Sequence, residues 1–298
     1  MSGAVLVTGA SGFLGRRLVQ ALCEHGDTVI SRTSQDGDIR RDRLNADGVR
    51  HVFHLAAKTF VPDSWRDPMP FYEVNVLGTV NVLEFCREQH ASLTLLSSYV
   101  YGHPERLPIS EDHPLRAFNP YGHSKILAEE VARFYELSYD IPLTIVRPFN
   151  LYGPSQHSRF LVPKLIYQAL SREYDAISVA DLRPKRDYVY VDDVVDMLIR
   201  FLDPPGRRGT YNAGSGVSIS VGELIELVSR MSGIRKAVCS ENAARPDEVM
   251  DTVADISRAC NELNWLPKTP LEEGLKRTMS SMIVANPELC AVHHAENM

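Results

Sequence analysis

The sequence predicts an α/β fold organised on a doubly wound parallel sheet, with a smaller mixed lobe at its C-terminal end. An apolar strand near the N-terminus runs into three evenly spaced glycines and then straight into a helix. Strands and amphipathic helices alternate as far as residue 152. From Gly153 the segments shorten and Pro and Gly become more frequent, so 1–152 and 153–298 are the expected lobes. With 298 residues, 44% of them hydrophobic, the chain has enough apolar material to bury a full core.

The first unit is Val5-Leu6-Val7-Thr8-Gly9-Ala10-Ser11-Gly12-Phe13-Leu14-Gly15, followed by a helix with Leu18, Val19, Ala21 and Leu22 on its inner face. Gly9 lets the chain reverse sharply, Gly12 leaves room for a pyrophosphate, and Gly15 lets the helix pack closely on the sheet. Phosphate oxygens would then face the positive end of the helix dipole and the unpartnered amides around Ser11, Phe13 and Leu14. This is the Rossmann-type phosphate turn.

Thr28–Ile30 reads as the second strand, and the polar run from Ser31 to Asn45 replaces the usual crossover helix. A buried strand, His51–Ala57, follows; a Pro-marked loop from Val61 to Pro70 leads into a helix from about Phe71 to Glu88. Leu93–Leu96 is a strand ending in Ser97-Ser98-Tyr99-Val100-Tyr101-Gly102. A helix starts near Asn119-Pro120 and runs to Tyr139, and strand Leu143–Arg147 ends at Pro148. In the C-terminal lobe the clearest pieces are helices at Val191–Leu202, Ser220–Met231 and Leu271–Met282, a strand at Thr210–Asn212, and a frayed tail after Asn286.

Composition excludes several classes. A net charge of −6, with only the short basic clusters Arg40-Arg41-Asp42-Arg43 and Arg207-Arg208, gives no footprint for nucleic acid or an anionic membrane. No apolar run reaches spanning length and no leader pattern precedes the first strand, so a cytoplasmic setting is expected. The five cysteines Cys23, Cys86, Cys239, Cys260 and Cys290 have no paired spacing, so neither a disulfide frame nor a metal site is expected.

Tyr121 and Lys125 lie four apart on a helix, so their side chains rise from one face. An ammonium beside a phenol lowers the phenol pKa and lets it exchange a proton with a hydroxyl or ketone. Ser97 stands at the carboxyl end of a strand, where doubly wound folds bind ligands, and can hydrogen-bond the same oxygen. Asp192 and Asp193 open a helix and read as first-turn carboxylates; His54 reads as a packed residue, and His123 faces away from Tyr121.

With these motifs in view, the sequence resembles the extended short-chain dehydrogenase/reductase family, in its branch of nucleotide-sugar epimerases, dehydratases and reductases. The matching stretches are Thr8–Gly15, His54–Lys58, Ser97–Gly102, Asn119–Lys125, Arg147–Pro154, Arg186–Asp193, Tyr211–Gly216 and Arg245–Glu248, nearly the whole chain. The resemblance implies a bound NAD or NADP at Gly9, Gly12 and Gly15, an adenine contact at Asp38-Ile39, and a cofactor lining of Leu55, Ala56, Ala57, Lys58, Asn75 and Pro148. It implies Ser97, Tyr121 and Lys125 as the catalytic triad, with Lys125 also holding the nicotinamide ribose. Ser98, Asn150, Arg186 and Arg245 fall at substrate positions, and guanidinium forks suit a nucleotide diphosphate. A homodimer through a helix bundle is also implied.

Departures from the family pattern narrow the reaction. Dehydratases carry Asp and Glu after the catalytic Ser or Thr; here stand Ser98 and Tyr99. The second strand ends in Ile30-Ser31-Arg32-Thr33-Ser34 rather than in an acid, and Arg32 suits the 2′-phosphate of NADP. Lys58 with the segment after it and the Arg245-Pro246-Asp247-Glu248-Val249 run are similar to enzymes acting on GDP-deoxyhexuloses. The leading expectation is an NADP-dependent reductase of a nucleotide-linked 4-keto-6-deoxyhexose. The alternative is a sugar-nucleotide 4-epimerase with tightly held NAD.

Overall fold

The computed structural model describes residues 3–242 and 248–290. Its main sheet has six parallel strands, in spatial order β2 (Val29–Arg32), β1 (Ala4–Thr8), β3 (Val49–His54), β4 (Ser92–Leu96), β5 (Leu143–Pro148) and β9 (Gly209–Ala213). The strands are apolar on both faces because both are covered. Val5 and Val7 of β1 pack with Leu14, Leu18 and Leu22 of α1 (Phe13–His25) and with α7 (Val191–Ile199). Leu6 and Val52 point the other way, into a cluster with Val82, Leu83 and Phe85 of α4 (Gly78–Gln89) and Ala132 of α5 (Pro120–Tyr139). The fold is a Rossmann-type doubly wound sheet.

Several expectations shift. The strand at 209–213, read as part of the C-terminal lobe, pairs with Thr144–Pro148 of β5 as the sixth strand of the main sheet. β3 stops at His54, leaving Leu55–Ala57 beyond its carboxyl end. The Pro-marked loop holds two short helices, α2 (Val61–Arg66) and α3 (Met69–Tyr72), each with a Pro in its first two positions. There the missing N–H costs nothing, so the prolines start helices. From α3 the chain continues through five π-helical residues, Glu73–Leu77, into α4. The tail is not frayed at once: Pro287–Cys290 form a 3₁₀ turn that buries Leu289 against the core. Between β2 and β3 no helix forms; Asn81 Nδ2 instead donates to the carbonyls of Ile39 and Asp42, tying the loop to α4.

Outside the main sheet, β6 (Asn150–Tyr152), β8 (Lys185–Tyr190) and β10 (Ser218–Ser220) form a three-stranded sheet, and β7 (Ala176–Val179) pairs with β11 (Ala237–Ser240). Helices α6 (Leu161–Leu170), α8 (Val221–Ser232), α9 (Ser257–Leu263) and α10 (Leu271–Ala285) complete this part; α8 starts with a capping box between Ser220 and Glu223. Their apolar faces join the same core cluster as α1 and β1, so the core is continuous. No described helix is long and apolar enough to cross a membrane.

Two buried imidazoles make the fold acid-sensitive. His51 is held by Ser92 Oγ at 2.7 Å and Thr94 Oγ1 at 3.0 Å, and His54 by Thr8 Oγ1 at 2.7 Å and Thr79 Oγ1 at 3.2 Å. Burial pushes both down to about 3 from 6.5, so each stays neutral in the fold while the unfolded chain binds a proton below about 6.5. Protons then favour unfolding, and stability falls as pH drops below that value. From pH 6.5 to 5.5 the two together are expected to cost about 2 kcal/mol, read as a shift in urea midpoint. His51→Asn with His54→Asn should flatten that dependence.

Candidate active site

Because β1 has β2 on one side and β3 on the other, the chain order reverses there and a crevice opens beyond their carboxyl ends. Gly9 sits in it with φ +68°, and a Cβ there would lie 2.7 Å from the Ala56 nitrogen. A Cβ on Gly15 would lie 2.1 Å from the Gly9 carbonyl oxygen, so α1 starts hard against the turn. Ser11 and Gly12 are exposed at the head of α1, where no side chain caps the helix and the first turn has no acid. The free amides of Phe13, Leu14 and Gly15 make an anion site there.

The opposite wall is Leu55–Lys58. Ala56 donates its N–H to Thr8 Oγ1 at 3.3 Å, and the Lys58 N–H donates to Asn75 Oδ1 at 2.9 Å. Asn75 Nδ2 donates in turn to the Lys58 carbonyl at 3.1 Å and to Ser124 Oγ at 2.9 Å, and the Ser124 hydroxyl donates to the Tyr121 carbonyl at 2.7 Å. Asn75, expected to line the cofactor, therefore has both ends of its amide taken by protein. It joins the wall to the Tyr121 helix, and the π-helical turn aims it there.

Arg32 ends β2 opposite Thr8. Asp38, expected at the adenine, has its carboxylate forked onto Arg40 Nε and Nη2 at 2.8 and 2.6 Å, which holds it at about 2. Ile39 packs on α4, where a Cβ on Gly78 would lie 3.1 Å from its Cγ2.

Ser97 extends the sheet by donating its N–H to the Val146 carbonyl at 2.7 Å. The Ser97 and Ser98 hydroxyls are buried with no hydrogen-bond partner among the described residues. Unmet buried hydroxyls are costly, and two of them at the end of a central strand mark where ligand atoms belong. Tyr121 and Lys125 come from the first turns of α5, whose N-cap Asn119 accepts the Gly122 N–H at 2.8 Å. Burial raises the Tyr121 phenol. Lys125, expected to lower the phenol, instead gives Nζ to the Leu96 carbonyl at 2.6 Å. Burial pushes its ammonium down to about 8 against the opposing charge of Glu129.

Beyond Pro148, which closes β5, Asn150 of β6 lies opposite Tyr188 of β8 and donates Nδ2 to the Asp187 carbonyl at 3.3 Å. Arg186, two residues before Tyr188 and so on the same face, bonds the Val249 carbonyl at 2.6 Å and the Glu248 carboxylate. Its charge also bears on the Tyr99 and Tyr188 phenols. Arg245 lies outside the described residues. Asp192 pairs with Arg17 at 2.7 Å, and Asp193 accepts the amides of Lys268 and Thr269 at 2.9 and 3.1 Å. Both carboxylates join segments rather than capping their own helix. His123 bonds Tyr72 and takes no part in the crevice.

Sequence reading missed three buried charged residues behind the site. Arg147 is forked onto Glu129 at 3.0 and 2.6 Å, and also reaches the Tyr101 hydroxyl and the Glu111 carbonyl. Tyr121, Lys125 and Glu129 recur at four-residue spacing, a stripe that could have exposed the third member. Asp187 gathers the amides of Ser215, Gly216 and Ala254 and the Ser215 hydroxyl.

Comparison with known proteins agrees with this geometry. A family profile described as "NAD dependent epimerase/dehydratase family" matches residues 5–214. The chain is 32% identical to a putative UDP-glucose 4-epimerase of Methanocaldococcus jannaschii, over 93% of this chain and 98% of that one. It is 28% identical to a GDP-6-deoxy-D-mannose reductase of Pseudomonas aeruginosa, over 94% and 97%. Among solved structures, MoeE5 in complex with UDP-glucuronic acid and NAD superposes with a TM-score of 0.87 at 29% identity, covering 95% of this chain and 100% of that one. RMD from Pseudomonas aeruginosa complexed with NADPH gives 0.87 at 26%, covering 95% and 99%. A glycine cradle at a switch point, two unmet hydroxyls beside a Tyr/Lys helix, and a profile match over most of the chain lead to one assignment: the protein belongs to the NAD-dependent epimerase/dehydratase family, the nucleotide-sugar branch of the extended short-chain dehydrogenases/reductases.

Proposed function

We propose that the protein is an NADP-dependent reductase of a nucleotide-linked keto-sugar, with an NDP-4-keto-6-deoxyhexose as substrate. The observation that carries the reading is Arg32. It ends β2 beside Thr8, where a carboxylate would hold the ribose of NAD, and the nearby Asp36 is turned back onto the Thr33 amide and hydroxyl at 2.7 Å each. A guanidinium with the hydroxyl of Ser34 fits a 2′-phosphate. The cofactor supplies the hydride. Tyr121 gives its proton to the new alkoxide, Ser97 holds that oxygen, and the Lys125 ammonium, one of whose protons goes to the Leu96 carbonyl, has two more to offer the ribose. A phenol raised by burial stays protonated at neutral pH, the form a proton donor needs. Ser98 and Tyr99 stand where a dehydratase needs its acid pair, which supports reduction over elimination. Asn150, Arg186 and Arg245 would hold the diphosphate.

The 4-epimerase reading keeps support from the 32% identity to a putative UDP-glucose 4-epimerase. Identifying the dinucleotide released on denaturing protein purified without added cofactor separates the two. Near-stoichiometric NAD⁺ would favour epimerisation; little bound cofactor, with NADPH preferred over NADH, would favour reduction. Arg32→Ala is expected to raise the KM for NADPH by about 10- to 100-fold and to leave that for NADH near wild type, as loss of a charge-assisted phosphate bond requires. Equal KM values in the variant and the parent for NADPH would remove the argument from Arg32.

A homodimer through the helices at 71–85 and 126–139 belongs to the same proposal: Leu77, which ends the π-helical turn before α4, is 53% exposed, and Phe134, Leu137 and Tyr139 of α5 are 61%, 85% and 49% exposed. Light scattering of the parent and of Phe134→Glu/Leu137→Glu tests it. A cytoplasmic setting also remains part of this reading.

A further inference from the structure

The crevice beyond β1 and β3 has two banks, and side chains from both meet across it. On one bank the chain leaves Lys58 and enters α2 with Phe60 at its N-cap and Asp63 in its first turn. On the other, Gly153 lies against Phe13 at the head of α1, where a Cβ would sit 3.5 Å from the Phe13 ring. The chain then runs on to Arg159 and to Phe160 at the N-cap of α6. Arg159 Nη1 meets Asp63 Oδ2 at 3.4 Å. Its guanidinium carbon lies 4.4 Å from the centre of the Phe60 ring and 5.6 Å from that of Phe160, and the two rings meet edge to face at 5.7 Å. One cation is thus shared by a carboxylate and two rings drawn from opposite banks, joining residues 96 apart in sequence.

We propose that these four residues form a clasp over the crevice that must open before a bound dinucleotide can leave. The inference rests on the dinucleotide reading above and deepens it, because the clasp sets how long the cofactor stays. Phe60 lies two residues past the wall at Leu55–Lys58, and Gly153, six residues before Arg159, lies against Phe13, so the bridge ties together the wall and the helix head that a bound dinucleotide would touch. The contact is weak enough to open within a catalytic cycle: the Arg159 and Asp63 side chains are 42% and 37% exposed, so water screens the ion pair, and the pair and the ring contacts contribute comparable shares of the hold. Asp63 is also shared with Arg66 at 3.0 Å, which gives the carboxylate a second partner when Arg159 swings away.

The test is the release rate of NADPH, or of NADH if that proves the preferred cofactor. The bound reduced form is displaced by an excess of its oxidised form in a stopped-flow instrument, and nicotinamide fluorescence reports its loss. Arg159→Ala and Asp63→Asn are each expected to speed release by about three- to tenfold, the size of an exposed cation–ring and ion-pair contact. Arg208→Ala breaks an exposed ion pair with Asp140, formed at 2.6 Å beyond α5, and should leave the rate at the parent value. Faster release in Arg159→Ala with no change in Asp63→Asn would overturn the clasp, because Arg159 would then act on the ligand directly. Unchanged release in both would overturn it too. If equilibrium titration shows that neither NADPH, NADH nor their oxidised forms bind the parent protein, the dinucleotide reading itself falls and the clasp falls with it.

Discussion

Replacing Tyr121 by Phe is expected to lower turnover by about 10²- to 10⁴-fold, the usual contribution of a positioned proton donor. The substitution removes one hydroxyl and keeps the ring, which meets Phe71 edge to face at 6.3 Å, so packing of the α5 head on α3 survives. In the proposed reduction the phenol acts on charge that develops only as hydride reaches the carbonyl carbon, so the loss should fall on kcat and leave KM for the sugar nucleotide close to the parent value. Ser97→Ala, which on the same proposal removes a hydrogen bond to that oxygen, should cost about 10²- to 10³-fold, and the two losses should not add if both groups serve one oxygen. Near-normal turnover of Tyr121→Phe would take the proton donor away from Tyr121 and leave the Ser98 hydroxyl, buried beside it without a partner, as the group to examine.

Much of this site was readable from the sequence because its signals are local. The glycine turn, the Tyr121/Lys125 spacing and the helix start near Asn119-Pro120 each depend on a few neighbouring residues, and the structure shows the turn and the helix there. What escaped depends on contacts between distant segments. Asn75 looks like a lining residue until its amide is seen to join Lys58 to Ser124. Arg147 and Glu129 come from different elements, and nothing local says that they meet. The strand Gly209–Ala213 has ordinary strand composition, but its place beside β5 depends on a crossover of more than 50 residues between Pro148 and Gly209. Prolines at 62 and 70 misled for a different reason: the same residue ends one helix and begins another, and only its position within the turn distinguishes them.

Arg147→Met is expected to destabilise the fold by about 3–5 kcal/mol, the cost of stranding one member of a buried pair. Arg147 and Glu129 side chains are 2% and 1% exposed, so neither charge can turn to water when its partner is lost. Arg133, at 3.9 Å from Glu129 and 45% exposed, is too distant and too wet to replace the fork. The Arg147 side chain also stacks on Tyr101 at 5.0 Å, and the Tyr101 hydroxyl donates to Asn212 Oδ1 of β9 at 2.5 Å, so the damage should spread to the edge of the sheet. Glu129→Gln with Arg147→Met removes both charges together, and this double variant should be more stable than the sum of the single losses implies. Urea midpoints of the parent, both single variants and the double variant give the coupling directly. Additive losses would mean that the two groups act independently and that α5 is held to β5 by apolar packing alone. A coupling of several kcal/mol would mean that the pair fixes the face of α5 carrying Lys125 and Tyr121 one and two turns earlier, so that fold stability and the geometry of the proposed catalytic residues share one buried contact.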